Sequence, residues 1–343
     1  MSVRSATWRP LGIALGFVWL AGVAVAQVPP VYLNLPVPPD TSSATFGVNS
    51  SGQVVGAFAA KSAAQTFGEQ LFLWQNGTTT LIGQPGRTIL WAAINNLGQV
   101  VFTVDHPIAT YLWDNGTITQ IADFVVSSVN DHTVVAGCQE KLVGNGGVRE
   151  SVIWNGGDPF LIKPKGGQAL FSCALGINNT GQVAGGFYTA VGASTSSGYL
   201  WANGNTTLLG TLGGAYTLGT GINDAGQVVG FGVNANSAIE AFLWQNGVIQ
   251  GLGFPQGETF SSAVRIDAAG RIVGNSSLPW VWQNGAFTKL DGGCVNQSCA
   301  LPFATGIADT GSGAIASGSC TNPANPAKLA ACIWNLPAAN VRK

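Results

Sequence analysis

The 343-residue chain carries 14 Lys+Arg and 15 Asp+Glu, so 8% of it is charged against about 25% in ordinary soluble domains. A formal net charge of -1 gives no drive toward phosphate backbones or acidic membrane surfaces, which excludes nucleic acid as a partner. The 46% apolar content is too high for a disordered chain, and 48 Gly with a single Met speak against helical bundles and for a turn-dense β protein.

The first element is an address. Arg4 and Arg9 precede the apolar run Leu11 to Ala26, which ends Ala24-Val25-Ala26 before Gln27. A basic start, an apolar stretch and a small-x-small site describe a secretory signal peptide over residues 1–26. The run is shorter than a membrane span, and no second one follows, so no span is expected in the mature chain. Loss of Arg4 and Arg9 leaves 12 basic against 15 acidic residues, a net charge of -3. Export places the cysteines in an oxidising compartment, extracellular or periplasmic.

Residues 27–343 read as one domain built from seven copies of a unit. One phrase, small-apolar-Asn-x-x-Gly-Gln-Val-Val-Gly, begins around Asn49 and returns at Asn95, Asn130, Asn178 and Asn223. It weakens to Asp267 and Ala308. A second phrase, apolar-Trp-x-Asn-Gly, follows each one, at Trp74, Trp113, Trp154, Trp201, Trp244, Trp282 and Trp334. Asn-x-x-Gly between β-prone runs fits a type I turn with Gly in the left-handed region, its Asn side chain capping the turn. Asn-Gly after Trp-x is a type I′ hairpin signal. Each unit therefore holds four antiparallel strands, here called a to d: a ends at the turn Asn, b is the Gln-Val-Val-Gly run, c ends at Trp, and d follows Asn-Gly.

Four strands per unit, seven times over, predict an all-β, seven-bladed β-propeller. The seventh unit lacks a strand d, and Val31-Tyr32-Leu33-Asn34-Leu35 is an unassigned strand at the mature N-terminus, expected to complete the last blade and close the ring. Trp is expected between stacked blades. The position two before the turn Asn is small in six units (Gly47, Ala93, Ser128, Gly176, Gly221, Gly306), as suits a crowded innermost strand; Arg265 breaks this pattern.

Gly-Ile-Asn-x-x-Gly-Gln-Val-Val-Gly, Ala241-Phe242-Leu243-Trp244 and Leu209-Gly210-Thr211-Leu212-Gly213-Gly214 resemble the extracellular repeats of the HAF family, over nearly the whole mature chain. The namesake His is replaced: Glu240 precedes Ala241-Phe242 and Gln70 precedes Leu71-Phe72. The resemblance implies an exported bacterial repeat protein and no particular reaction.

Turns a–b and c–d are tight and are placed on one face; loops b–c and d–a vary and are placed on the other, where function concentrates. The charges there include Glu69, Arg87, Arg149, Glu150 and Glu258, with the b–c loop of the third unit placed at Gln139 to Glu150. Trp91, Phe171, Tyr188, Tyr216, Phe260 and Trp280 are the aromatics assigned to the same loops. Aromatic faces beside scattered charges suit a glycan or protein ligand. The candidate binding set is thus Glu69, Arg87, Trp91, Arg149, Glu150, Tyr188, Tyr216, Glu258 and Trp280.

Catalytic signals are weak. His106 and His132, the only histidines, lie in a loop and a turn without a serine-nucleophile motif. The turn carboxylates lack the run of oxygen ligands of a Ca²⁺ loop, so no metal or cofactor is expected. A hydrolase or lyase working on carbohydrate or peptide through Glu69, Glu240, Glu258 or Asp291 is the alternative, but no spacing marks a pair. The leading expectation is a monomeric, non-catalytic binding module. The six cysteines allow fifteen pairings. Cys294 and Cys299 bracket one loop, Cys320 and Cys332 flank one hairpin, and Cys138 and Cys173 remain, from adjacent units; structural disulfides fit better than zinc in the absence of Cys-x-x-Cys.

Overall fold

The computed structural model describes residues 27–59, 69–83, 87–143, 146–163, 171–188, 196–294 and 299–338, with the backbone alone at 141–143, 146–147 and 188. The expected signal peptide lies outside them. No helix occurs among the described residues, so none is long and apolar enough to cross a membrane.

Every sequence unit becomes an antiparallel meander. The first runs Ser43–Val48, Val54–Phe58, Gln70–Gln75 and Thr78–Ile82. The second runs Ile89–Ile94, Val100–Val104, Ala109–Asp114 and Thr117–Ala122, and the sixth runs Ser262–Ile266, Ile272–Asn275, Pro279–Gln283 and Ala286–Lys289. Units three, four and five have the same order and are joined at their outer ends by single parallel bridges, Arg149 with Phe171 and Ser196 with Tyr216. The seventh has three strands of its own, Phe303–Asp309, Gly313–Thr321 and Leu329–Pro337; its fourth neighbour is Val31–Tyr32, which pairs Val31 with Ile333 and Tyr32 with Cys332.

The turn chemistry follows the residues. In the Asn-Gly pairs at 76–77, 115–116, 203–204, 246–247 and 284–285, both residues have positive φ, as a type I′ turn demands. In the a–b turns the left-handed residue is Gly52, Gly98, Gly181, Gly226, Gly270 and Gly311, and Thr133 in the third unit.

Among the described residues the core is a chain of clusters, each shared by consecutive units, and one Trp of the repeated position belongs to each. Trp113 packs where units one and two meet, Trp154 at two and three, Trp201 at three and four, Trp244 at four and five, Trp282 at five and six, and Trp334 at six and seven. Trp74 packs with Leu33, Phe72 and Ile333, where unit one meets unit seven and the N-terminal strand. A meander has two faces to cover and no helix to cover them, so each sheet uses its neighbour; burying one such side chain stabilises by roughly 1.5–3 kcal/mol.

Two expectations change. Residues 139–150, assigned to a loop, are mostly ladder: Val135–Val143 pairs with Gly146–Trp154, with Gln139 opposite Glu150 and Glu140 opposite Arg149. Their consecutive polar residues suit an extended hairpin beyond the sheet as well as a loop. Trp91, Phe171, Tyr188, Tyr216 and Trp280 likewise stand on strands. Phe260 stays in a loop, 40% exposed.

The six cysteines form three disulfides with none free: Cys138–Cys173, Cys294–Cys299 and Cys320–Cys332, at Cα separations of 4.9, 5.7 and 5.9 Å. The first joins units three and four, and the last lies across the hairpin on which the N-terminal strand pairs.

Candidate functional site

The turn Asn residues build the most ordered polar surface. Asn49 Oδ1 accepts from the backbone N–H of Ser51 (3.1 Å) and Gln53 (2.9 Å), while Gly52 N–H donates to Asn49 O (3.0 Å). This is the expected cap. The same side chain also reaches out of its unit: Asn49 Nδ2 donates to Gln53 Oε1 at 2.7 Å and to Asn95 O of the next unit at 2.9 Å. Asn95 repeats this toward Asn130 O (3.0 Å), Asn130 toward Asn178 O (2.9 Å), Asn178 toward Asn223 O (3.0 Å) and Asn223 toward Asp267 O (3.0 Å). All five Asn side chains are buried. Their recurrence in sequence therefore carries a second demand, an amide that caps one turn and ties the next.

The sixth unit meets that demand differently. Asp267 has no amide to donate, and Gln at the fourth position on is replaced by Arg271. Arg271 Nε donates to Asp267 Oδ2 at 2.6 Å, and its Nη2 donates to Gly313 O at 2.8 Å and lies 3.1 Å from Asp309 Oδ1 of unit seven. Both members of the inner pair are almost fully buried. Burial raises the Asp267 pKa, and the Arg271 bonds only partly offset it. The exchange Asn–Gln to Asp–Arg keeps both the cap and the link, with the link moved from residue one to residue five of the turn.

Outside this row lies a second. Ser50 N–H donates to Asn96 Oδ1 (3.0 Å), Asn96 to Asp131 Oδ1 (2.7 Å), Asp131 to Asn179 Oδ1 (2.8 Å) and Asn179 to Asp224 Oδ1 (2.8 Å). It stops at Ala268, which has no acceptor. Both rows line a funnel of about 190 Å³ to which all seven units contribute, with Val48, Ile94, Val129, Ile177, Ile222, Ile266 and Ile307 among its lining. Of its carboxylates, Asp131 and Asp224 are already filled by backbone and Asn donors, and Asp267 and Asp309 are tied to Arg271. No group of three His, Cys, Asp or Glu among the described residues is placed to hold a metal. His132 serves here as a turn residue, its N–H donating to Asn130 Oδ1.

The tight-turn face is thus the face of the funnel. Gln75, beside the c–d turn, donates to Ser51 O in the a–b turn at 3.1 Å, which puts both turn sets together as expected. Across the molecule, the candidate binding residues fall into two groups. Arg87 donates to Asp105 O and Pro107 O; Asp105 accepts from Thr88 N–H at 3.1 Å and faces His106, and although its slight burial opposes this, bonds from His106 and Thr88 hold its pKa below the ordinary value. Arg149 pairs with Glu140 across the third unit's hairpin, exposed, next to Glu150. Glu69 starts strand c of unit one, its N–H on Phe58 O. Glu258 accepts from Lys289 Nζ at 3.2 Å and from both the N–H and hydroxyl of Ser277; burial raises its pKa, but these bonds outweigh it and leave it low.

The aromatics do not join them as a surface. Trp280 is fully buried and packs edge-on against Phe287, which removes it from any binding face. Trp91 packs on Phe46 of the preceding unit, its indole N–H buried, and Tyr216 lies against Phe231. The side chain of Tyr188 lies outside the described residues. The strand register, invisible in the sequence, points Trp280 inward, the ordinary place for a single aromatic between stacked units.

No family model matches the chain and no curated protein matches it. Solved structures do. An acylaminoacyl peptidase of Pyrococcus horikoshii aligns at a TM-score of 0.57 and 10% identity over 89% of this chain and 52% of that one. The β-propeller domain of the trilobed protease from Pyrococcus furiosus, described as having an open velcro topology, aligns at 0.55 and 10% identity over 87% of this chain and 99% of that domain. The fold is of the β-propeller type. The chain spans about half the length of the peptidase, and at this identity the likeness concerns the propeller alone.

Proposed function

We propose that this protein is an exported propeller of the HAF-repeat kind, cleaved after Ala26, whose residues 27–343 form one monomeric domain of seven blades closed into a ring by Val31–Tyr32. It acts as a non-catalytic module that binds a glycan or protein at the cell exterior through the b–c and d–a side. Seven inter-unit clusters, one of them joining units seven and one, support the closed ring. Three disulfides suit an oxidising compartment.

One observation carries the choice of binding over catalysis: the described loop-side carboxylates with assigned bonds spend them on their own neighbourhood. Glu240 takes Asn234 Nδ2 at 2.7 Å and Gly253 N–H at 2.9 Å, Glu258 takes Ser277 and Lys289, and Asp291 takes Gly293 N–H at 2.8 Å. A glycosidase needs one carboxyl held protonated opposite a free partner, whereas Glu258 is held ionised. Arg87, on backbone carbonyls, and Arg149, paired with the exposed Glu140, are cations of that side.

The test is to screen the purified protein on glycan and peptide arrays and analyse the products of each hit. The expected outcome is a ligand recovered intact, with binding weakened by Arg87→Ala or Arg149→Ala and unaffected by Asp131→Asn on the funnel face. A consumed ligand overturns the non-catalytic reading. Binding lost in Asp131→Asn and kept in the arginine variants moves the site to the funnel, and an empty pair of arrays removes the glycan-or-peptide assignment.

A further inference from the structure

Arg265 occupies the position that is Gly, Ala or Ser in the other six units. The small residues let neighbouring strands a touch: a Cβ on Gly176 would lie 3.2 Å from Gly221 Cα, and one on Gly306 3.2 Å from Gly47 Cα. A long side chain there must leave the strand contact and enter the space that the strands a enclose. Arg265 does so. Its Nη1 donates to Thr220 O at 2.8 Å and Val264 O at 2.9 Å, and its Nη2 reaches Ser127 O at 3.5 Å. Ser127 belongs to unit three and Arg265 to unit six, so the contact crosses the enclosed space past units four and five.

Those partners are three carbonyls. No carboxylate among the described residues pairs with Arg265, in contrast to Arg271, which has Asp267 and Asp309. A guanidinium has five N–H donors, and its Nε and part of Nη2 have no protein acceptor among the described residues. Desolvation without a compensating charge pulls its pKa down to about 10, so it remains a cation at neutral pH. The side chain is half-buried. Ser128, next to the carbonyl it touches, accepts from Ile177 N–H at 3.4 Å. Charges taken from water are retained where they are paired, and here the described residues supply carbonyl acceptors but no negative partner.

We infer that the enclosed channel is a binding site for a small monovalent anion, held by the Arg265 guanidinium: a halide ion or a carboxylate group. A single guanidinium matches a single negative charge. The inference needs only the enclosed strands a and is independent of the binding role proposed above.

Crystals of the purified protein soaked in sodium bromide test it directly: the expected result is an anomalous peak in hydrogen-bond contact with the Arg265 guanidinium, and its absence overturns the inference. Thermal unfolding at one ionic strength in sodium chloride, sodium acetate or sodium methanesulfonate provides the second reading. Binding to the folded state alone raises stability by mass action, so chloride or acetate should raise Tm over methanesulfonate, and Arg265→Gln should abolish that difference. The stronger of the two salts distinguishes a free halide from a carboxylate. A bromide peak without any salt-specific shift in the wild type marks an adventitious ion only and overturns the site. If Arg265→Gln fails to fold, the bromide map and the wild-type salt series still decide.

Discussion

Units one to five and units six to seven hold their neighbours by different chemistry. Along the first five, buried amides run from turn to turn, each Asn donating to the next unit's carbonyl at 2.9–3.0 Å. Around units six and seven the amides give way to the Asp267–Arg271–Asp309 cluster, the Cys320–Cys332 disulfide and a strand taken from the other end of the chain. The junction of seven with one adds Asn322 Nδ2 on Pro39 O at 2.9 Å and Thr45 with Thr305 at 2.7 Å. The difference shows what each solution requires. An amide ladder serves consecutive units, because the next turn is always at the same height. Where chain ends meet, no such phrase continues, and charge, a covalent bond and a borrowed strand take over.

The comparison breaks most readily at Arg271. Arg271→Gln leaves Asp267 buried without its cation and should cost about 3–5 kcal/mol in denaturant unfolding. Adding Asp267→Asn rebuilds the amide pair of the other units and should restore most of the loss; a double variant no better than the single one would refute the equivalence. Next is the disulfide: Cys320→Ser with Cys332→Ser should cost about 2–4 kcal/mol, read as a lower denaturation midpoint, and should expose the N-terminal strand to protease first. In the ladder, Asn95→Ala removes a cap and a strut and strands buried groups, for about 1–3 kcal/mol; a similar cost at Asn130 and Asn178 would show that the rungs are alike.

The smallest effect is in pH. Asp267 has its folded pKa raised by burial, so it binds its proton more tightly folded than unfolded. Its contribution to stability is full below the ordinary carboxylate pKa and is lost as pH rises through the raised value. Subtracting the stability curve of the Asp267→Asn, Arg271→Gln variant from that of the wild type should show this decline, and Asn95→Ala should leave it intact. Glu258, whose pKa is lowered, contributes in the opposite sense: its stabilisation is lost on acidification, a slope that Glu258→Gln should remove.

Much of the fold was legible because its signals are local. Asn-Gly fixes a turn of two residues, Asn-x-x-Gly caps itself, and a Trp every unit marks one strand. The N-terminal strand was legible as a deficit, since the seventh unit lacks a strand d and Val31-Tyr32 fits it. The three cysteine pairs followed from the same unit map. Candidate site residues fared less evenly. Arg87 and Arg149 stand where polar loops or hairpin extensions meet solvent, but Glu258 is largely buried against Ser277 and Lys289 and Trp280 fully so, since exposure depends on which face of a strand points at the neighbouring sheet, and a β-bulge shifts that face. Strand a carries such an irregularity in every unit, between Ala263 and Arg265 in unit six.

The sequence by itself determined the unit, its strands and its turns, because those depend on residues within a few positions of one another. Only the tertiary structure decided what the departures mean. Asp267 with Arg271 looks like a decayed motif along the chain and is a substituted link in space, since its partners Gly313 and Asp309 lie 42 residues on. Arg265 looks like a misfit and is a cation spanning enclosed space to Ser127, 138 residues away. Distance along the chain hides such contacts, and the energetic reason for them appears only once burial removes water from both charges.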